Sequence, residues 1–155
     1  MKLFIDTDIF VRDLRYRDDK NIKENDLFLN SVKAKKIIGF TSIYNLLELC
    51  EILSFNLNSE SLLYLYWGFK KRYRLKQILF GKSSDENPII DINIVFGQLL
   101  KKMSFGDALI AACVQYHSDL IEGFVSWNMK HFENKLNMDV YTPLTLLRKL
   151  DADLF

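Results

Sequence analysis

The chain has 155 residues, of which 49% are hydrophobic and 26% charged, and its formal net charge is +1. This composition is typical of a globular protein and the length is that of one domain, so we expect a single domain over residues 1–155 and exclude a disordered chain. A net charge near zero also excludes a global field that attracts nucleic acid, so any such binding has to come from a local patch.

Short apolar runs alternate with segments of helical spacing along the chain. In chain order, the sequence first predicts a strand over residues 3–5, a helix from about residue 9, a helix over 26–35 capped by Asn25 or Asp26, and a strand over 37–40. It then predicts a helix to about residue 54 capped by Thr41 or Ser42, a helical stretch over 58–78 in one or two pieces, a brief strand over 89–92 and a helix over 94–103. The last predicted elements are a helix to about residue 117 capped by Ser104, strands over 124–127 and 140–141, and a helix over 144–150 opened by Pro143. Strands separated by helices require right-handed crossovers. The predicted class is therefore α/β, with a mostly parallel sheet.

Several polar side chains follow the predicted strands, and chemistry in parallel sheets collects beyond the carboxyl ends of the strands. Asp6 and Asp8 follow the first strand, and Asn128 follows the strand over 124–127. Glu48 lies in the helix after the second strand, and Asp107 lies in the first turn of a later helix. These positions are too far apart for one local motif, so only the fold can bring them together.

Each acidic residue also has a purely structural interpretation. Asp6 and Asp8 could cap the helix that follows them. However, two acids one residue apart repel each other unless a positive group lies between them, which favours a function for Asp6 and leaves Asp8 open. Asp107 fits a capping box that begins at Ser104.

Glu48 lies opposite the predicted apolar stripe of its helix. That stripe is centred on Leu46, Leu47, Cys50 and Leu53. Glu48 could therefore be a solvent-facing residue. Because the helix is apolar nearly all round, it could also be covered on both sides, and Glu48 would then line a cleft.

Four segments resemble the PIN-domain nucleases, and among them the VapC-like toxins of bacterial and archaeal toxin–antitoxin pairs. They are LFIDTDIF, FTSIYNLLELCEIL, MSFGDALIAAC and GFVSWNMKHF, which span nearly the whole chain in the order of the family. The resemblance implies a PIN-like α/β/α sandwich, with a central, mostly parallel sheet flanked by helices.

The resemblance also implies a site. Asp6, Glu48 and Asp107 correspond to the catalytic, metal-binding acidic pocket of the family, and Asn128 stands as a further metal ligand where many members carry a fourth Asp. Asp8 departs from the usual Ser, Thr or Asn, and either supplies part of the missing charge or is a bystander. The resemblance implies supporting roles for Asp8 and Ser126.

Three carboxylates that converge in one pocket require a cation. Hard oxygen ligands select Mg²⁺ or Mn²⁺, which would orient a phosphate and lower the pKa of an attacking water. For a PIN-like enzyme the implied reaction is hydrolysis of RNA phosphodiester bonds that leaves a 3′-hydroxyl group, without a protein nucleophile.

A basic and aromatic segment over residues 67–76 is a candidate contact surface for RNA or a partner. Its contact candidates are Trp67, Lys70, Lys71, Arg72 and Arg74. Basic groups could bind phosphates while aromatic rings stack on bases. The same pattern fits an amphipathic helix with a solvated cationic face, or a docking surface for an antitoxin. The resemblance further implies a homodimer.

Two other functions are compatible with parts of the sequence. A PIN-like scaffold that has lost a charge at Asn128 could be catalytically weak or inactive and act by binding protein or RNA. A haloacid-dehalogenase-like phosphatase would use Asp6 as nucleophile, Asp8 as acid or base, and Thr41 or Ser42 to bind phosphate. That family requires a second acid a few residues after Asp107, where this chain has Ala111 and Ala112.

Both cysteines, Cys50 and Cys113, lie in apolar stretches. This placement predicts buried free thiols in a reducing compartment. No apolar run approaches the about 20 residues that span a membrane, and residues 1–10 do not resemble a signal peptide. We therefore expect a cytoplasmic protein without a membrane segment.

Overall fold

Five strands and seven helices make up the described part of this computed structural model, residues 1–79 and 91–152. The strands are β1 (Lys2–Ile5), β2 (Ile38–Ser42), β3 (Lys76–Ile78), β4 (Gly123–Val125) and β5 (Asp139–Tyr141). The helices are α1 (Thr7–Arg15), α2 (Ile22–Lys33), α3 (Ile43–Ser54), α4 (Ser59–Tyr73), α5 (Ile92–Leu100), α6 (Phe105–Tyr116) and α7 (Pro143–Ala152). None of these helices combines the length and the apolar character that a membrane crossing requires.

The strands form one parallel sheet in the order β3-β2-β1-β4-β5. The chain runs outward from β1 through β2 to β3, and then returns to the other side of β1 to add β4 and β5. Such a reversal opens a crevice at the carboxyl ends of the two strands where the order changes. In this chain those strands are β1 and β4, which are paired from Leu3↔Gly123 to Ile5↔Val125.

Alternate residues of β1 enter two different cores, as the period-2 geometry of a strand requires. Leu3 and Ile5 pack with residues of α1, α2, α3, α4 and α7. Phe4 packs on the opposite face with residues of α5 and α6 and lies 5.3 Å from the stacked ring of Phe124. The result is a three-layer α/β/α sandwich, which confirms the predicted fold class.

Three caps begin the helices around the crevice. Ser42 and Asn45 form a reciprocal capping box at the start of α3, and Ser104 accepts a hydrogen bond from the main-chain N–H of Asp107 at the start of α6. These hydrogen bonds confirm the predicted caps, Ser42 for α3 and Ser104 for α6. Asp6 is the N-cap of α1 and accepts from the Thr7 N–H at 2.8 Å.

Several predicted boundaries differ from the structure. The helical stretch predicted over 58–78 ends at Tyr73, because Arg74 adopts the left-handed conformation (φ 55°) and the chain continues as β3. Helix α2 begins at Ile22 after Asn21, four residues before the predicted start. Asn25 is therefore not a cap but a fully buried residue inside that helix. The strand predicted over 89–92 lies partly outside the described residues, and its described end, Ile92, opens α5.

Candidate active site

The crevice between β1 and β4 holds the first acidic residue. Asp6 follows β1 directly, and its main-chain N–H donates to Val125 O at 3.0 Å, which fixes it beside the end of β4. Its side chain is buried, with a relative exposure of 6%. The peptide dipoles of α1 direct positive potential toward this end of the helix, which favours the nearby acids Asp6 and Asp8.

A cleft of about 310 Å³ opens at this edge of the sheet. It is lined by four carboxylates, from Asp6, Asp8, Glu48 and Asp107. Its polar and aromatic lining also includes Asn128, Thr7, Arg12, Tyr16, His131 and Phe132. The fold thus brings together five predicted site residues from three helices and the ends of two strands, and the buried Ser126 contacts one of them, Asp8.

The carboxylates disfavour one another's charged forms. Burial raises the pKa of Asp6 well above its ordinary value, and the neighbouring charges of Asp8 and Glu48 raise it further. Burial also raises the pKa of Glu48, although the hydrogen bond from Thr7 acts in the opposite direction. A site with this concentration of buried negative charge favours a bound cation.

A buried hydrogen-bond network behind the cleft holds two of the acids. Thr7 Oγ1 donates to Glu48 Oε2. Asn45 Nδ2 lies 3.0 Å from Thr7 Oγ1 and 3.3 Å from Asp6 Oδ1, and Asn45 Oδ1 accepts from Ser42 Oγ at 2.5 Å. The sequence interpretation missed Thr7 and Asn45, and the signal available for Asn45 was an amide within the apolar run IYNLLEL.

Glu48 lies on the cleft side of α3. The buried residues of this helix are Asn45, Leu46, Leu49 and Leu53. The predicted stripe was therefore wrong at Leu47, which is 51% exposed. Because the buried stripe is displaced toward Leu49, Glu48 is half-buried and faces Asp107 across the cleft, rather than facing bulk solvent.

Asp8 is tied to the end of β4. Its Oδ2 atom accepts from Ser126 Oγ and from the main-chain N–H of Asn128, both at 2.9 Å. Burial raises the pKa of Asp8, whereas these two hydrogen bonds lower it. Asn128 thus contacts Asp8 through its backbone, while the residue itself is exposed at the rim of the cleft.

Two further residues at the rim were not predicted. Arg12 forms an ion pair with Asp19, and its guanidinium lies 4.6 Å from the centre of the Trp127 ring. His131 Nδ1 lies 3.6 Å from Asp107 Oδ2. Both positions depend on contacts between distant segments, which periodicity does not encode.

The predicted basic and aromatic surface lies elsewhere. None of its five candidates, Trp67, Lys70, Lys71, Arg72 and Arg74, lines the acidic cleft. Phe69 and Tyr73 are core residues, as the amphipathic-helix interpretation requires, and Trp67 is 77% exposed. Arg72 lies 3.6 Å from Asp13, and Arg74 donates to Lys33 O at 2.8 Å.

Next to this surface, an apolar groove of about 460 Å³ runs between α1, α3 and α4. Its lining residues are Leu14, Leu53, Leu57, Ser61, Tyr64, Leu65, Gly68, Phe69 and Arg72. Tyr64 is 73% exposed at its edge. The groove is separate from the acidic cleft, because the two share no lining residue.

The acidic cleft fits a hydrated divalent cation better than one enclosed by protein ligands. Among the described residues, no three His, Cys, Asp or Glu side chains stand close enough to hold one ion together. Mg²⁺ usually keeps several waters and takes only one or two carboxylates from the protein. Within the described residues, Asp8 Oδ1 is buried without a hydrogen-bond partner, as an oxygen that faces such an ion would be.

The hydroxyl groups that a phosphatase would need are engaged elsewhere. Thr41 Oγ1 donates to Ile5 O at 3.1 Å, and Ser42 Oγ takes part in the cap of α3. Both residues are fully buried. Neither hydroxyl is available to bind a phosphate.

Comparison with protein-family models and with curated proteins gives no match. Solved structures do match. A chain of FitAcB from Neisseria gonorrhoeae gives a TM-score of 0.64 at 16% identity, covering 92% of this chain and 98% of that one. A chain of VapBC2 from Rickettsia felis, bound to a promoter DNA fragment, gives a TM-score of 0.61 at 20% identity, covering 92% of this chain and 98% of that one. A chain of VapBC-1 from nontypeable Haemophilus influenzae gives a TM-score of 0.61 at 14% identity, covering 93% of this chain and 99% of that one. The chain therefore has the PIN-like α/β/α fold of the VapBC and FitAB structures.

Proposed function

We propose that this chain is a metal-dependent ribonuclease that hydrolyses RNA phosphodiester bonds and serves as the toxin of a toxin–antitoxin pair. The observation that carries the proposal is the convergence of Asp6, Asp8, Glu48 and Asp107 in one cleft at the switch point of a parallel sheet. The similarity to VapBC and FitAB structures supports the toxin assignment.

The acids in the cleft would hold the cation. Asp6, Glu48 and Asp107, with Asn128 at the rim, are the proposed ligands, of which one or two would contact the ion directly and the others would contact its bound waters. When bound, Mg²⁺ or Mn²⁺ orients the scissile phosphate, stabilises developing negative charge and lowers the pKa of the attacking water.

The chain's own residues organise the reaction around the cleft. Thr7 and Asn45 hold the carboxylates of Glu48 and Asp6 in fixed orientations, so these groups need no rearrangement when the substrate arrives. Glu48 uses Oε2 to accept from Thr7, which leaves Oε1 for the cation or one of its bound waters.

Cleavage assays test this function directly. Purified protein is incubated with structured and unstructured RNA in Mn²⁺, Mg²⁺ or EDTA, beside the variants Asp6→Asn and Asp107→Asn. Asp119→Asn, an exposed acid outside the cleft, is the matched control. We expect metal-dependent cleavage that falls by about a hundredfold or more in both cleft variants and is unchanged in the control.

Two outcomes would contradict the proposal. Cleavage that survives both cleft substitutions points to a contaminant and refutes the site. No cleavage by any preparation, together with an intact fold and no Mn²⁺ binding, supports the alternative of an inactive PIN-like scaffold. That alternative is favoured by Asn128, which supplies no charge at the rim, and by the lack of three closely grouped ligands in the described residues.

The proposed antitoxin would bind the apolar groove between α1, α3 and α4. Tyr64 and Trp67 are exposed beside it, and Arg72 adds a cation at its edge. A cation at the edge of an apolar groove suits a partner segment with apolar and acidic side chains. Leu57→Asp should weaken binding of a candidate antitoxin about tenfold or more in calorimetric titration without altering cleavage, because Leu57 lines the groove and not the cleft.

A further inference from the structure

Asp8 is held more firmly than a helix-capping acid requires. Its Oδ2 atom accepts two hydrogen bonds, from Ser126 Oγ and from the Asn128 N–H, each at 2.9 Å. Ser126 is fully buried, and both donors belong to the segment that leaves β4. The carboxylate of Asp8 is therefore fixed between α1 and the end of β4, at the bottom corner of the cleft.

The second oxygen of the same carboxylate is buried. Asp8 Oδ1 makes no hydrogen bond of good geometry with the described residues, although the Trp127 main-chain N–H also lowers the pKa of this carboxyl. Arg12, four residues further along the same helix, lowers the pKa of Asp8 through its charge, but its guanidinium is paired with Asp19 and lies over the Trp127 ring. Asp6, on the other side, adds a like charge. A buried carboxylate oxygen in this setting calls for a positive partner.

We infer that Asp8 is a direct ligand of the divalent cation, with Oδ1 as the binding atom, and that it supplies the anionic charge that Asn128 cannot. This inference rests on the proposed metal-dependent function. Ser126 and the Asn128 N–H then act as positioning groups, because they orient the ligand through its other oxygen.

Two simpler roles for Asp8 compete with a role as a metal ligand. An acid in the first turn of α1 is favoured by the helix dipole, but that interaction does not require a buried unpartnered oxygen. A proton shared between Asp6 and Asp8 would give Oδ1 a partner without a metal ion. The two roles predict that Asp8 can be replaced without loss of cation binding.

The charge-neutral variant Asp8→Asn separates these roles. Asn keeps an oxygen that can accept from Ser126 and Asn128, and its amide can donate toward Asp6. Binding of Mn²⁺ is measured on the full chain by the electron paramagnetic resonance signal of the free ion. We expect Asp8→Asn to weaken Mn²⁺ binding about tenfold or more, whereas Asp119→Asn changes it less than about twofold.

A charge-return variant tests the link to Asn128. Because the Asn128 N–H lies against the Asp8 carboxylate, an acid at position 128 would restore a negative group to the same corner of the cleft. Asp8→Asn/Asn128→Asp should therefore regain most of the lost Mn²⁺ affinity.

Thermal melting in EDTA should show that Asp8→Asn is at least as stable as the wild type, because one of the two neighbouring acids, Asp6 and Asp8, is then neutral. Asp8→Ser repeats the test with a smaller neutral side chain.

The outcomes distinguish this inference from the proposed function. If Asp6→Asn abolishes Mn²⁺ binding but Asp8→Asn and Asp8→Ser leave it unchanged, the metal site stands and Asp8 is not a ligand. If Asp8→Asn loses stability in EDTA in proportion to its loss of Mn²⁺, Asp8 is structural and the inference is wrong. If the wild type itself binds no Mn²⁺, the proposed function and the inference fail together.

Discussion

Asp6 combines a structural and a functional role that place opposite demands on its charge. As the N-cap of α1 it only needs to accept a hydrogen bond, which Asn does equally well. As a buried neighbour of Asp8 and Glu48, its negative charge is unfavourable without a cation. A buried acid that lowers the stability of the fold is typical of an active site, where activity requires a group that is unfavourable for stability.

We therefore expect Asp6→Asn to stabilise the fold when metal is absent. The variant should unfold at a higher urea concentration than the wild type in EDTA, because the neutral amide removes a buried charge that Asp8 and Glu48 disfavour. Asp119→Asn, at an exposed position, should stay within about 0.5 kcal/mol of the wild type. A loss of stability in Asp6→Asn would mean that the buried charge is already compensated by the protein.

The two cysteines should differ in reactivity. Burial raises the pKa of the Cys113 thiol to about 12 and also raises that of the half-buried Cys50 thiol. At pH 8 a thiol with such a pKa is ionised to only about one part in ten thousand, so Cys113 should resist an aromatic disulfide reagent until the protein unfolds. Cys50 should react slowly in the native state and faster as the pH rises from 7 to 9.

Labelling followed by mass spectrometry of the peptides identifies which thiol has reacted. Cys50→Ser and Cys113→Ser serve as the matched single-thiol variants. Equal rates for both thiols in the native protein would contradict the predicted burial of Cys113 in the core between the sheet and α6.

At the level of elements, the caps were the most predictable features. Ser42 and Ser104 begin α3 and α6 because a hydroxyl directly before an apolar helical pattern satisfies the first free N–H groups. Strand β3 was not predictable, because its residues Lys76–Ile78 continue the basic pattern of α4 and become a strand only by pairing with β2. Asn25 was misread as a cap since its partners, Ile9 O and Trp127 Nε1, belong to distant segments.

Strand β2 has a position where only glycine fits. A Cβ atom at Gly39 would lie 2.7 Å from Leu75 Cδ2, 2.8 Å from Ile5 Cδ1 and 2.9 Å from Val32 Cγ1. We expect Gly39→Ala to destabilise the protein by about 1–3 kcal/mol, because three core side chains must move to make room. Urea unfolding measures this loss.

Gly97 is the matched control for this substitution. It lies inside α5, and its added Cβ would meet no atom within 4 Å. Gly97→Ala should raise stability by about 0.5–1 kcal/mol, since alanine loses less backbone freedom in a helix. If Gly39→Ala and Gly97→Ala changed the stability equally, close packing between β2 and α2 would not be the reason for glycine at position 39.

At the scale of the whole molecule, the cleft depends on the order of the strands. The sequence predicted parallel strands and acids at their ends, and so it predicted a shared edge for Asp6 and Asn128. It did not predict the order β3-β2-β1-β4-β5, which places the ends of β1 and β4 side by side. The network of Thr7, Asn45 and Glu48 was equally hidden, because it joins the starts of α1 and α3, which meet only in the folded chain.

We propose that helix α5 carries a homodimer interface. Ile92, Phe96 and Leu100 follow one another at intervals of four residues and form an exposed stripe, with relative exposures of 76%, 57% and 70%. The opposite side of this helix is already buried through Val95 and Gln98. An exposed apolar stripe of this kind is typical of a surface that contacts another copy or a partner.

The variant Phe96→Asp tests this interface by sedimentation analysis. We expect the wild type to sediment as a dimer and the variant as a folded monomer that still unfolds cooperatively, because the introduced charge would have to be buried against the partner's stripe. Phe55→Asp, at an 84% exposed position after α3, is the matched control and should remain dimeric. A wild type that stays monomeric at all concentrations, or a Phe96→Asp variant that remains a dimer, would remove α5 as the contact between copies.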